Sequence, residues 1–250
     1  MRRLRERGAL RGVLTSERSD VAALVEEVRA SPRMEGRALV DDVTCAARYS
    51  LEPRGEALCR LAVYDYGIKT NILRSLLARG AALEVLPART PAAVVRELGV
   101  DGVVLSNGPG DPEPLREIVG VVADLVASDL PVLGICLGHQ LLGLALGGRT
   151  RKLKFGHHGG NQPVKDLASG LVLITSQNHG FAVDPDSLPS GVRVTELNLN
   201  DGTVEGLAVE GRPVFSVQYH PEAAPGPHDA APLFARFLEQ VTPRGAAASR

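Results

Sequence analysis

From Leu58 to Leu146 the chain alternates short apolar runs with segments of helical periodicity, and this pattern most narrows the folds open to it. Leu58 to Tyr64, Ala82 to Leu86, Gly102 to Leu105 and Val132 to Ile135 read as strands. Between and after them, Thr70 to Arg79, Pro91 to Leu98, Leu115 to Ala127 and His139 to Leu146 read as helices, the first closed by Gly80. Such alternation predicts parallel βαβ units wound right-handed. Past Arg149 strands follow more closely: Val164, Leu171 to Thr175, Val192 to Leu197, Val204 to Val209 and Val214 to Val217. The expected fold class is α/β: an open, mostly parallel sheet flanked by helices, with a mixed or antiparallel extension. Asp229 to Gln240 reads as a closing helix.

The flanks read differently. Residues 1–50 are charged and helical in pattern, with Val21 to Arg29 capped by Ser19 or Asp20. Residues 51–57 read as a linker, 58–242 as the main domain, and 243–250 as a disordered tail.

Aromatic residues are only 4% of the chain and Trp is absent, so the core must be built from Val, Leu, Ile and Ala. These suit strands buried on both faces. The formal net charge of −1 gives no reason to expect nucleic acid or a membrane surface as a partner. Three cysteines without paired spacing argue against a disulfide framework and for a reducing, cytoplasmic setting. The Arg-rich start, Met1 to Leu14, has no apolar stretch of targeting-peptide type, since Arg11 interrupts it. Leu130 to Gly148 is nearly uncharged, yet it holds Pro131, His139, Gln140 and glycines at 134, 138, 143, 147 and 148. A strand, a tight turn and a buried helix account for it better than a membrane span.

That tight turn carries the chemistry. Gly134-Ile135-Cys136-Leu137-Gly138 has a nucleophile between glycines, after an apolar strand and before a helix. The turn leaves no room for side chains beside the nucleophile, and it exposes the sulfur at the strand's carboxyl end. The helix start favours thiolate over thiol. The backbone N–H of Leu137 is the expected first oxyanion donor, and the loop Ser106-Asn107-Gly108-Pro109-Gly110-Asp111 can supply a second. Among six histidines, His220 follows a strand and leads His220-Pro221-Glu222. A carboxylate two residues on can orient the imidazole as base. The His157-His158 pair lacks ligand spacing, so no metal site is expected.

PVLGICLGHQ, SNGPGDP and VQYHPEA resemble the signatures of triad-type, class I glutamine amidotransferases. LKFGHHGGNQPV, SQNHGF, HPEAAPGPHDAAPLF and YDYGIKTNILR are similar to the carbamoyl-phosphate synthetase small subunits of that family. The resemblance runs from about Leu58 to the closing helix. It implies Cys136 as nucleophile, His220 as base and acid, and Glu222 as orienting carboxylate. It also implies a glutamine site made by Gly108, Gly110, Leu137, Gln140, Asn178, Gly180 and Phe181, with His139 and His179 in support. The implied partners are L-glutamine and a large subunit that uses ATP and a divalent metal to make carbamoyl phosphate from bicarbonate for arginine and pyrimidine synthesis. No cofactor is implied on this chain. The family's small subunit begins with a separate N-terminal domain, and RRLRERGALRGVL is similar only to its end. That domain supplies a serine to the glutamine pocket, and no residue here takes its role. A misplaced start, a fragment and a shortened variant all remain open, as do a glutaminase serving another synthetase and an inactive truncated remnant.

Overall fold

A computed structural model describes residues 6–241. Residues 1–5 and the tail expected at 243–250 lie outside the described residues. The strands are β1 (Tyr49–Leu51), β2 (Cys59–Asp65), β3 (Ala81–Pro87), β4 (Gly102–Leu105), β5 (Val132–Ile135), β6 (Thr150–Asp166), β7 (Val172–Val183), β8 (Val192–Asn198), β9 (Val204–Val209) and β10 (Val214–Val217). The helices are α1 (Val21–Ala30), α2 (Thr70–Leu77), α3 (Ala92–Glu97), α4 (Arg116–Ala127), α5 (Leu137–Ala145) and α6 (Pro232–Val241). All strands join one sheet in the order β1-β3-β2-β4-β5-β10-β9-β8-β6-β7. The segment β3-β2-β4-β5-β10 is parallel, and every other pairing is antiparallel.

The alternating side chains of β2 explain how the helices are placed. Leu61 and Val63 join Ile72 and Leu76 of α2 and Phe234 and Phe237 of α6 in one apolar layer. Ala62 and Tyr64 point the other way, into a layer with Val95 of α3, Ile118 and Val122 of α4 and Leu141 of α5. Both faces of the parallel segment are therefore covered, which is why its strands carry little polar alternation.

Two sequence expectations are corrected. The linker expected at residues 51–57 begins inside β1, which pairs with β3 from Tyr49↔Val85 to Leu51↔Leu83. A three-residue edge strand is too short to show a period. The second correction concerns β6 and β7, which cross most of residues 150–183, where only Val164 and Leu171 to Thr175 suggested strand. Their register shifts between Lys152 and His157 and between Gly159 and Gln162, and Gly156 and Gly159 have φ of 75° and 113°. Bulges at such glycines break the two-residue period by which a strand is recognised.

The N-terminal residues lie against this sheet. Asp20 caps α1 through its Oδ1 and the Ala23 N–H, yet no residue of α1 is buried. Ala9 N–H donates to Lys154 O, Asp111 N–H to Arg37 O, and Val40 is fully buried in the second layer. Among the described residues no helix is long and apolar enough to cross a membrane.

Candidate active site

Three parallel strands end at the same place. Ser106 to Gly110 leave β4, Cys136 leaves β5, and His220 follows β10. This is the carboxyl edge of the sheet, where ligands of open α/β folds bind. Cys136 has φ 53° and ψ −101°, and it is the one non-glycine with positive φ among the described residues. Such a conformation costs on the order of 1–3 kcal/mol and persists only where its surroundings enforce it. Here they do. Cys136 N–H donates to Val217 O, Gly138 N–H donates to Ser106 O, and a methyl at Gly138 would lie 2.2 Å from the Leu105 carbonyl oxygen. Helix α5 therefore starts at Leu137, two residues before the His139 expected from the sequence, and Cys136 itself is the N-cap.

The structure brings Cys136, His220 and Glu222 together. His220 Nδ1 lies 2.7 Å from Glu222 Oε1, and both residues are buried. Burial works against a charge on His220. The Cys136 sulfur on one side and the Glu222 carboxylate on the other outweigh it, holding the imidazole up at about 9. Burial also opposes charge on Glu222, but its hydrogen bond to His220, with His220 and Lys69 as nearby cations, keeps it below the usual carboxylate range.

Lys69 was not read as a site residue from the sequence. Its Nζ lies 3.4 Å from Glu222 Oε1, and Asn71 of α2 donates to the Glu222 carbonyl. Lys69 N–H is held by Asn107 Oδ1, and Asn107 Nδ2 donates to Gly67 O, so the loop after β2 braces both the carboxylate and the oxyanion loop. Contacts between residues some 150 positions apart leave no spacing signal; the Lys69–Asn71 stretch could be singled out only through the YDYGIKTNILR match.

A cavity of about 800 Å³ opens over the sulfur. Its lining includes Gly108, Gly110, Gln140, Asn178, Gly180 and Phe181. Leu137 is not among the lining residues, but as the first residue of α5 it has an N–H without an intrahelical partner. Gly108 packs so closely that a methyl there would meet Tyr66 O at 2.2 Å and Leu137 Cδ2 at 2.7 Å. Arg7, Arg33 and Arg37 from the N-terminal residues form part of the wall, beside Lys152 and Lys154 of β6.

The supporting residues are more specific than the sequence indicates. Gln140 Nε2 donates to Phe181 O at 2.9 Å and to Gln218 Oε1 at 3.0 Å, so it holds the β7 lip of the cavity. Gln140→Met should raise KM for the cavity's ligand roughly tenfold with a smaller change in kcat, because a lost buried hydrogen bond costs about 1–3 kcal/mol. Steady-state kinetics would separate the two. His139 is fully buried, with Nδ1 2.9 Å from Ser216 Oγ, and burial with His179 nearby pushes it down to about 3. It is a neutral residue packed between α5 and β10.

The family model described as "Glutamine amidotransferase class-I" matches residues 62–240. The chain is 53% identical to a carbamoyl phosphate synthase small chain of Nitratidesulfovibrio vulgaris, over 96% of this chain and 67% of that protein. It belongs to the class I glutamine amidotransferases, among the carbamoyl phosphate synthase small chains. A small chain from Escherichia coli is 47% identical, over 96% of this chain and 67% of that protein. One from Yersinia pseudotuberculosis is 48% identical, over 96% and 65%. The chain thus spans about two thirds of the length of these relatives. A solved structure from Thermoplasma acidophilum, described as a putative GMP synthase protein, matches with a TM-score of 0.65 at 23% identity, over 75% of this chain and 96% of that one. At that identity the match speaks for the fold alone.

Proposed function

We propose that this chain hydrolyses glutamine as the small subunit of a carbamoyl-phosphate synthetase and delivers ammonia to a large subunit. The observation that carries the reading is the buried Cys136–His220–Glu222 set, with Cys136 in the wall of a cavity lined by glycines and polar groups and the other two behind it. The Cys136 thiolate attacks the side-chain amide carbon of glutamine. The oxyanion forms against the N–H groups of Leu137 and Gly108. His220, as imidazolium, gives its proton to the departing ammonia, leaving a thioester. Neutral His220 then takes a proton from water, whose oxygen attacks the thioester to release glutamate. The basic wall, with Arg37 and Lys152, suits the α-carboxylate of an amino acid. Gly110, Gln140, Asn178, Gly180 and Phe181 complete the substrate site.

The large subunit, in this reading, holds the ATP, the divalent metal and the bicarbonate chemistry. Leu10, Val13, Leu14, Val21 and Val25 stand exposed along residues 10–25, and this stretch fits an interaction surface rather than a free face. We assign residues 1–48 to the end of an N-terminal domain and residues 49–242 to the amidotransferase unit. Three free thiols suit a cytoplasmic protein. The test is glutaminase turnover of the purified chain, followed by reconstitution with a carbamoyl-phosphate-forming large subunit. Glutamate release without coupled carbamoyl phosphate would leave a glutaminase with another partner. No glutamate release would overturn the reading.

The pH profile gives a further expected result. The alkaline limb of the rate should fall near pH 9, where His220 loses the proton it must donate. A histidine raised above its ordinary value of about 6.5 also contributes stability that is complete below that pH and lost as pH rises through about 9. Glu222→Gln removes part of what lifts the imidazole. The alkaline limb should move to lower pH and the maximal rate should fall on the order of 10²-fold. A pH–rate profile of both proteins checks the direction.

A further inference from the structure

Spacing along the chain argues against a metal at His157, because its neighbours in sequence offer no second ligand at helical distance. The sheet supplies ligands from other strands. In the β6–β7 ladder His157 lies directly opposite His179, with ring centroids 4.9 Å apart. Glu205 of β9 reaches the same point, with Oε1 3.3 Å from His157 Nδ1. One donor atom from each of the three residues lies within 4.8 Å of the others. We propose that His157 Nδ1, His179 Nε2 and the Glu205 carboxylate form a binding site for a divalent transition metal of the zinc class.

Four observations converge on this point. Glu205 is fully buried; its Oε1 accepts from Asn198 Nδ2, Gln177 stands beside the carboxylate, and Oε2 has no hydrogen-bond partner of ordinary geometry among the described residues. His179 Nδ1 lies 2.8 Å from Phe181 O, an acceptor that requires the hydrogen on that nitrogen. The lone pair of Nε2 therefore points inward, where it meets another acceptor, Gln177 Oε1, at 3.1 Å. Finally, His157 Nε2 bonds to Asp201 Oδ2 at 2.9 Å, which orients the ring so that Nδ1, 3.3 Å from Glu205 Oε1 and 3.4 Å from Asn198 Nδ2, becomes the ligand atom once its proton leaves. Outer carboxylate and carbonyl partners of this kind are what metal-bound imidazoles usually have.

The geometry is close to closing. Tetrahedral bonds of about 2.0–2.2 Å separate donor atoms by roughly 3.5 Å. The His157–Glu205 pair already stands at that separation. All the donor atoms lie within 4.8 Å of one another, so no pair needs to approach by more than about 1.3 Å. Without metal, a proton on His157 does the same electrostatic work between Glu205 and Asp201. Binding therefore exchanges that proton for the metal: M²⁺ enters, His157 becomes neutral, and one proton leaves to solvent. The filled site would tie β6, β7 and β9 together behind Asn178 and Phe181. The inference does not depend on what the cavity hydrolyses.

Chelator-treated wild-type chain titrated with Co²⁺ tests it, read by visible absorption and by calorimetry. One Co²⁺ per chain with the absorption of tetrahedral cobalt, displaced by Zn²⁺ and accompanied by release of about one proton, is the expected result. His157→Gln and Glu205→Gln should each weaken binding at least tenfold. His228→Asn, at an exposed histidine outside the cluster, should not. Circular dichroism of each variant separates lost ligation from lost folding, and either folded variant suffices. No stoichiometric Co²⁺ uptake by wild type would overturn the proposal. Equal affinity in the His157 and Glu205 variants would do the same, by showing adventitious binding.

Discussion

Cys136→Ser should lower glutamine hydrolysis on the order of 10⁴-fold or more, while folding and ligand uptake stay close to wild type. The size of the effect follows from what the site does to sulfur and cannot do to oxygen. His220 holds its proton up to about pH 9 beside this residue, so in the proposed mechanism a thiolate would react with an imidazolium already at its side. A serine hydroxyl has too high a pKa to form that pair and needs its proton removed during attack. An imidazole already carrying a proton is not the base for that task. The fold should tolerate the change, because one small polar atom replaces another in a turn held by Cys136 N–H to Val217 O and Gly138 N–H to Ser106 O. Removing the nucleophile of a triad typically leaves only the part of catalysis due to binding and oxyanion contacts. In a reconstituted complex, synthesis from free ammonia should continue. Unchanged glutaminase activity in this variant would sink the assignment.

The second large effect is on folding. Gly138→Ala should destabilise the protein by more than about 3 kcal/mol, beyond the range usual for overpacked cores. The new methyl would lie 2.2 Å from Leu105 O and 2.7 Å from Leu105 C, which are backbone atoms of β4. A side-chain clash can be relieved by a rotamer change. This one requires α5 to move off the sheet, and with it the turn that holds Cys136 at φ 53°. Thermal melting should drop by about 10 °C, given roughly 2–4 °C per kcal/mol for a chain of this size. Gly143→Ala is the matched comparison on the same helix. Its methyl would meet only Val183 side-chain carbons, at 2.8 Å and beyond, and a side chain can give way. It should cost clearly less. Similar melting points for the two variants would show that the β4–α5 approach is looser than the structure places it.

These two residues also show what was legible in the sequence. The parallel half could be read because its strands are buried on both faces and its helices alternate with them. Val132–Ile135 and Gly102–Leu105 coincide with the apolar runs from end to end. The nucleophile could be read because its turn imposes glycines at fixed offsets. The long β6–β7 hairpin could not, since Gly156 and Gly159 interrupt its period and His157, His158, Asn161 and Gln162 put polar side chains on both of its faces. The bracing of Glu222 by Lys69 and Asn71 joins residues remote in sequence. The same is true of Gln140 and Gln218, whose contact appears only once β10 lies beside β5. His157, His179 and Glu205 are the extreme case, with one residue on each of three strands and no pair at a telling spacing.

In the proposed reaction Cys136 attacks the side-chain carbonyl of glutamine in the cavity above it. Incubation with 6-diazo-5-oxo-L-norleucine, a glutamine analogue that alkylates a thiolate seated at its reactive carbon, followed by peptide mass spectrometry, tests this most directly. A single adduct on the peptide bearing Cys136, prevented by excess glutamine, is expected, with Cys45 and Cys59 unmodified. An unlabelled Cys136, or labelling that glutamine does not prevent, would contradict it.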